Sequence, residues 1–85
     1  MKSELLLAGP ARKALKRIPA ADQRRILAAL DAMEQDPFSG AIVRLKALPI
    51  AWRRRVGDWR MLFDIEPERR RVLVHDVVRR TSTTY

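Results

Sequence analysis

A chain of 85 residues has room for one small hydrophobic core, and 47% hydrophobic residues with only three glycines give it the make-up of a folding domain, not of a disordered tail. Eighteen Lys and Arg against ten Asp and Glu leave a net charge of +8, a field that favours polyanions, nucleic acid first, or an acidic protein partner. The lack of cysteine excludes a disulfide framework, a thiolate metal site and a cysteine nucleophile, and the single histidine, His75, leaves no ligand pair at metal-binding spacing, so neither a metal nor any other cofactor is expected.

The first apolar run, Leu5 to Ala8, is too short for a signal peptide or a membrane span, and a cytoplasmic address is the expectation. Residues 3–8 read as a brief strand ended by Gly9-Pro10, after which a helix starts, because its first turn tolerates proline. Ala11, Ala14, Leu15 and Ile18 recur at helical spacing, opposite Arg12, Lys13, Lys16 and Arg17, and Pro19 closes the segment. From Ala20 to Gln35 a second helix follows from Ile26, Leu27, Leu30 and Met33; Asp36-Pro37 ends it because the residue before proline avoids helical torsions. Residues 38–49 lack a clean period and read as a connecting loop anchored by Val43, Leu45 and Leu48. Ile50 to Val56, Trp59 to Glu66 and Arg71 to Val78 then read as three strands of an antiparallel meander, broken at Gly57-Asp58 and at residues 67–70. The expected fold is α+β over residues 1–85, in the order β-α-α-β-β-β, with both helices packed on one face of the sheet and the other face free.

Charge is uneven along this chain: residues 44–85 hold eleven basic and five acidic side chains, against seven and five before them. Strand alternation puts Arg53 and Arg55 on one face and Trp52, Arg54 and Val56 on the other, while Trp59, Met61, Phe63 and Ile65 form an apolar face that leaves Arg60 on the reverse. A tight turn at Gly57-Asp58 would set Arg55 against Arg60, where like charges repel unless an anion intervenes. The third strand ends at Arg79-Arg80, which a meander would bring beside the same cluster. Guanidinium forks suit phosphate oxygens, and fixed cations can stabilise the phosphorane formed when a ribose 2′-hydroxyl attacks its own phosphodiester. Tyr85 is an aromatic on which a base of single-stranded RNA would stack. His75 falls in the same alternation as Arg71, Leu73 and Val77 and is a candidate for contact with substrate, imidazole being the side chain that ordinarily titrates near neutrality. Arg69 to Arg71 read as a solvated turn, and the two tryptophans as packing residues.

The run Trp52-Arg53-Arg54-Arg55-Val56-Gly57-Asp58-Trp59-Arg60-Met61-Leu62-Phe63-Asp64-Ile65 resembles the central signature of the RelE toxins of bacterial toxin–antitoxin pairs, and Val77-Val78-Arg79-Arg80 with Tyr85 resembles that family's closing basic-plus-tyrosine motif. The order of segments extends the likeness over essentially the whole chain. It implies a compact RNase-like fold, metal-independent cleavage of mRNA in the ribosomal A site, and neutralisation by a small acidic antitoxin that wraps the toxin. Carried over by position, Arg53 and Arg55 fall on basic residues, often lysine, that contact RNA and assist proton transfer; Arg60 falls on the family's arginine after the Gly-Asp-aromatic turn, Arg79 on its late phosphate-stabilising arginine, with Arg80 the alternative to Arg79, and Tyr85 on the tyrosine that stacks on substrate. Arg54, Arg80, Arg44 and Lys46 are the further expected contacts to mRNA and rRNA. Arginine is a poor general base, so arginine at 53 and 55 favours charge stabilisation and leaves the proton acceptor unassigned. Two other readings stand beside the nuclease: a ParE-type toxin that blocks DNA gyrase without cutting RNA, and a non-catalytic RNA-binding module.

Overall fold

The computed structural model describes residues 2–45 and 52–79. Its elements run β1 (Glu4–Leu7), α1 (Gly9–Arg17), α2 (Ala20–Gln35), β2 (Ile42–Arg44), β3 (Trp52–Val56), β4 (Trp59–Glu66), a single 3-10 turn (Pro67–Arg69) and β5 (Arg71–Arg79). The α+β class, the element order and both helices on one face stand as the sequence implies. Two details differ. The sheet has five strands in the order β1-β5-β4-β3-β2, with β1 parallel to β5 and every other pair antiparallel. The fifth strand is β2, inside the segment read as a loop; three residues are too few to display a period.

α1 opens on Gly9-Pro10, where the missing proline N–H costs no helical bond, and buries Ala11 and Leu15 at a spacing of four. It ends ahead of Ile18-Pro19, where the Leu15 carbonyl accepts from the Ile18 N–H at 3.4 Å and from Gln23 Nε2 of the next helix at 2.9 Å. α2 buries Ile26, Ala29, Leu30 and Met33 and stops at Asp36, ahead of Pro37. These side chains form one core with Met61 and Phe63 of β4 and Val72, Val74 and Val77 of β5, flanked by Leu5, Leu7, Ile42, Trp52 and Trp59. Ile42, not Val43, packs toward that core; Val43 points the other way and is 47% exposed.

β3 and β4 are joined by the two residues Gly57 and Asp58, with Val56 opposite Trp59. Gly57 has φ +58°, the left-handed torsion that a two-residue hairpin asks of its first turn position. β4 and β5 slip by one residue: Met61 faces Val77 and Leu62 faces Asp76, but Phe63 faces Val74. His75 is therefore extra to the ladder, a β-bulge. The Val77 N–H donates to Asp76 Oδ1 at 2.8 Å beside the bulge.

Candidate nucleic-acid site on the open sheet face

Alternation and register together decide what stands on the face away from the helices. β3 contributes Arg53 and Arg55, β4 contributes Arg60, Leu62, Asp64 and Glu66, and β2 contributes Val43 opposite Arg53. Arg55 lies directly opposite Arg60. The Arg55 N–H donates to the Ala41 carbonyl at 3.0 Å, away from β4, so Arg55 and Arg60 form the non-hydrogen-bonded type of pair, in which facing side chains come closest. Arg53 faces Leu62 across the same two strands. Among the described residues none of these three guanidiniums makes an ion pair. Beside them, Ala41, Val43, Arg53 and Arg55 line a shallow hollow of about 240 Å³.

Carboxylates occupy the other end of that face. Arg71 reaches Glu4 at 3.6 Å and Glu66 at 3.9 Å, and Arg69 reaches Glu66 at 3.9 Å. Between the two ends, His75 Nε2 lies 2.7 Å from Asp64 Oδ2, each side chain roughly one-third exposed. The face therefore grades from three unpaired cations, through an imidazole–carboxylate pair, to a neutralised network. Beneath the middle lies Leu62, fully buried yet outside the helix-side core.

Two arginines expected near this cluster, or contributing to RNA contact, face the helices instead. Arg54 Nη1 donates to Ser39 Oγ at 3.1 Å and to the Ala29 carbonyl of α2 at 3.5 Å, and burial lowers its pKa from the usual guanidinium value. Its guanidinium lies where Gly40 has no side chain: a β-carbon there would come within 2.6 Å of Arg54 Nη2, and Gly40 holds φ +80°. Arg79 faces Trp59 in the register, and its Cζ sits 5.4 Å from that ring's centroid, while Trp59 Nε1 donates to Asp22 Oδ2 of α2 at 3.1 Å. The expected convergence of Arg79 with Arg60 is thus corrected, and the bulge is the reason. An unbroken β5 would put Arg79 in phase with Arg71, Leu73 and His75; the extra residue inverts the alternation, so Val77 and Arg79 join the helix side. Val77 likewise leaves the set in which the sequence grouped it with His75.

Arg44 is also on the helix side, opposite Trp52 in the register, with its guanidinium 5.7 Å from the Trp52 centroid and Phe38 set edge-on against the same ring at 5.5 Å. Both tryptophans are packing residues, as their sequence context suggested. Lys46, Arg80 and Tyr85 lie outside the described residues, as does Leu48. Among the described residues, no three His, Asp or Glu side chains gather closely enough to hold a metal ion, and no helix is long and apolar enough to cross a membrane.

Comparison with solved structures places this architecture. The toxin chain of an archaeal RelE–RelB complex from Pyrococcus horikoshii superposes with a TM-score of 0.83 at 22% identity, over 98% of this chain and 100% of that one. The fold is that of the RelE toxins. The isolated E. coli RelE toxin aligns with a TM-score of 0.78 at 15% identity, over 96% of this chain and 88% of that one. A YoeB/ParE toxin from Agrobacterium tumefaciens aligns with a TM-score of 0.73 at 19% identity, over 89% and 96% respectively. No protein-family sequence profile and no curated protein sequence matches the chain. In this RelE-like fold the open sheet face carries the three unpaired arginines, and the helix side holds Arg54 and Arg79.

Proposed function

We propose that this protein is the toxin of a toxin–antitoxin pair and an endoribonuclease that cuts mRNA on the ribosome, in the cytoplasm, by attack of a ribose 2′-hydroxyl on the adjacent phosphate. The observation that carries the reading is the cluster of Arg53, Arg55 and Arg60, three cations side by side on one face that make no ion pair among the described residues. Three positive charges on neighbouring sheet positions raise the energy of the empty site and lower it when a polyanion is bound. In the attack, negative charge grows on the phosphorane oxygens, and guanidiniums already in place stabilise that charge without having to reorganise. Arg60 faces Arg55 and lies next to Arg53, a position from which it would grip the phosphate under attack while Arg53 and Arg55 hold the backbone. Arg80 and Tyr85 belong to the reading through the family resemblance, Tyr85 as the residue on which a base stacks.

A partner follows from the charge. An excess of eight positive charges suits a small acidic antitoxin, and the P. horikoshii neighbour was solved in complex with its RelB. Such a protein would cover the arginines and silence the nuclease.

Controlled expression in a bacterial host, followed by primer extension on cellular mRNA, tests the proposal. The expected result is codon-linked cleavage and growth arrest, both lost in Arg60→Ala with the thermal midpoint retained. DNA damage with uncut mRNA would replace the nuclease by the gyrase-blocking alternative, and neither effect would leave only an RNA-binding module.

A further inference from the structure

Arginine does not remove a proton from a ribose hydroxyl at neutral pH, so a cluster made of guanidiniums alone lacks a base. The open face holds the one imidazole of the chain. His75 Nε2 is 2.7 Å from Asp64 Oδ2, and a carboxylate partner fixes the hydrogen on Nε2, leaving Nδ1 as the lone-pair nitrogen. The bulge sets the residue in place. Asp76 and its neighbour His75 together oppose the single residue Leu62, which in turn faces Arg53 on the next strand. Arg53, Leu62 and the bulge thus form one row across three strands. With strands about 4.8 Å apart, the ends of that row are roughly 10 Å apart at the backbone. Leu62, between the two ends, is fully buried, so the side chains of this row close over it. Arg60 and Asp64 stand on either side of Leu62 along β4.

We propose that His75, held by Asp64, is the general base that takes the 2′-hydroxyl proton of an RNA held by the neighbouring arginines. This inference rests on the ribonuclease reading and adds to it the base that the arginines lack. Nδ1 accepts the proton, the 2′-oxygen bonds to phosphorus, and the bond from phosphorus to the 5′-oxygen breaks, leaving a 2′,3′-cyclic phosphate. The departing 5′-oxygen takes a proton from solvent, and the imidazolium returns its own to solvent, so charge and protons balance. Asp64 is a positioning residue: it selects the tautomer and steadies the imidazolium. The charged groups around His75 are Asp64, Asp76 and, further along the face, Glu66 and Glu4, with Arg53, Arg60 and Arg71. Only the neutral ring accepts a proton, so the rate rises with pH as the ring is deprotonated.

Single-turnover cleavage of mRNA on programmed ribosomes, measured against pH, is the test. Because the chain has one histidine, its imidazole titration can be followed directly by NMR in the wild-type protein. The acid limb of kcat/KM should coincide with that titration, since this parameter reports groups of the free enzyme. His75→Gln keeps an amide N–H for Asp64 and so preserves a purely structural pair; a base at this position predicts a loss of roughly 10²–10⁴-fold and disappearance of the acid limb, with RNA affinity and thermal midpoint retained. Asp64→Asn should fall between the two. A wild-type enzyme that cleaves RNA with no limb at the imidazole titration, or a His75→Gln variant that cleaves at the wild-type rate, overturns the assignment and leaves the nuclease intact. A wild-type protein that never cleaves overturns both.

Discussion

The facing pair Arg55 and Arg60 should make this protein more stable when one of its charges is removed. In a non-hydrogen-bonded antiparallel pair the α-carbons are about 4.5 Å apart, and two guanidiniums splaying away from each other end roughly 7 Å apart. Two unit charges at ~7 Å in a water-like dielectric repel by about 0.6 kcal/mol, and Arg53 on the same face adds to this. Arg60→Gln removes the charge and keeps most of the stem that covers Leu62. For a domain of this size about 0.6 kcal/mol corresponds to a rise in Tm of roughly 2–5 °C. Salt must erase the gain, because near 1 M the screening length is only ~3 Å. The measurement is thermal unfolding of wild type and Arg60→Gln at low and at high salt, alongside RNA cleavage, which the same substitution should reduce by roughly 10²–10³-fold. A variant no more stable than wild type at low salt refutes the argument, because the guanidiniums would then not repel. A gain that survives high salt refutes it equally, because its origin would not be charge.

Other substitutions test the remaining geometry. Arg54→Ala removes the bonds to Ser39 Oγ and the Ala29 carbonyl and should cost about 1–2 kcal/mol in a denaturant titration, leaving the salt dependence of RNA binding unchanged. Gly40→Ala combines a left-handed torsion with a clash against Arg54 Nη2 and should cost about 1–3 kcal/mol; paired with Arg54→Ala the two losses should sum to less than their separate values. Arg79→Ala should lose about 0.5–1 kcal/mol of stacking on Trp59 and reduce cleavage by less than Arg60→Ala does, and an equal loss would put the Arg79 guanidinium at substrate. Three phosphate contacts predict a log–log slope of roughly −2 for single-stranded RNA affinity against salt, measured by fluorescence anisotropy; a flat response would mean that the arginines do not hold phosphate.

The sequence discloses most of this fold because its local signals agree. Pro10, Pro19 and Pro37 bracket two helices with apolar faces at three and four, and the alternation in Trp59-Met61-Phe63-Ile65 marks which side of β4 is core. The opposition of Arg55 and Arg60 follows from a two-residue turn at Gly57-Asp58 and nothing else. Less visible were the features that depend on partners distant in the chain. Nothing in Ile42-Val43-Arg44 announces a strand, because the register against β3 creates it. The parallel pairing of β1 beside β5 is likewise a matter of packing. The bulge did leave a trace: the buried positions of β5 are Val72, Val74 and Val77, two apart and then three, a broken period that a strict alternation overlooks. Alternation already sets Arg54 with Trp52 and Val56 on the face away from Arg53 and Arg55, but its bonds to Ser39 and Ala29 depend on the room that a glycine at 40 leaves.

The extra residue in β5 moves Arg79 to the helix side, where alternation along β3 already puts Arg54, and the arginines are thereby divided by role. On the helix side, Arg79 lies over Trp59, which is bonded to Asp22, and Arg54 bonds a helix carbonyl and a loop hydroxyl, so both cations tie the sheet to α2 or its flank. On the open side, Arg53, Arg55 and Arg60 face solvent beside one another with no partner among the described residues, a placement that weakens the fold by charge repulsion. Packing does not require them there, since an apolar or neutral side chain on an open sheet face would fold at least as well. The strain is relieved only by an anion able to bridge three guanidiniums at strand spacing, and a phosphodiester backbone has that form. An acidic antitoxin would relieve it too, so substrate and inhibitor should compete for the same three side chains, and antitoxin affinity should fall along with RNA affinity in Arg60→Gln.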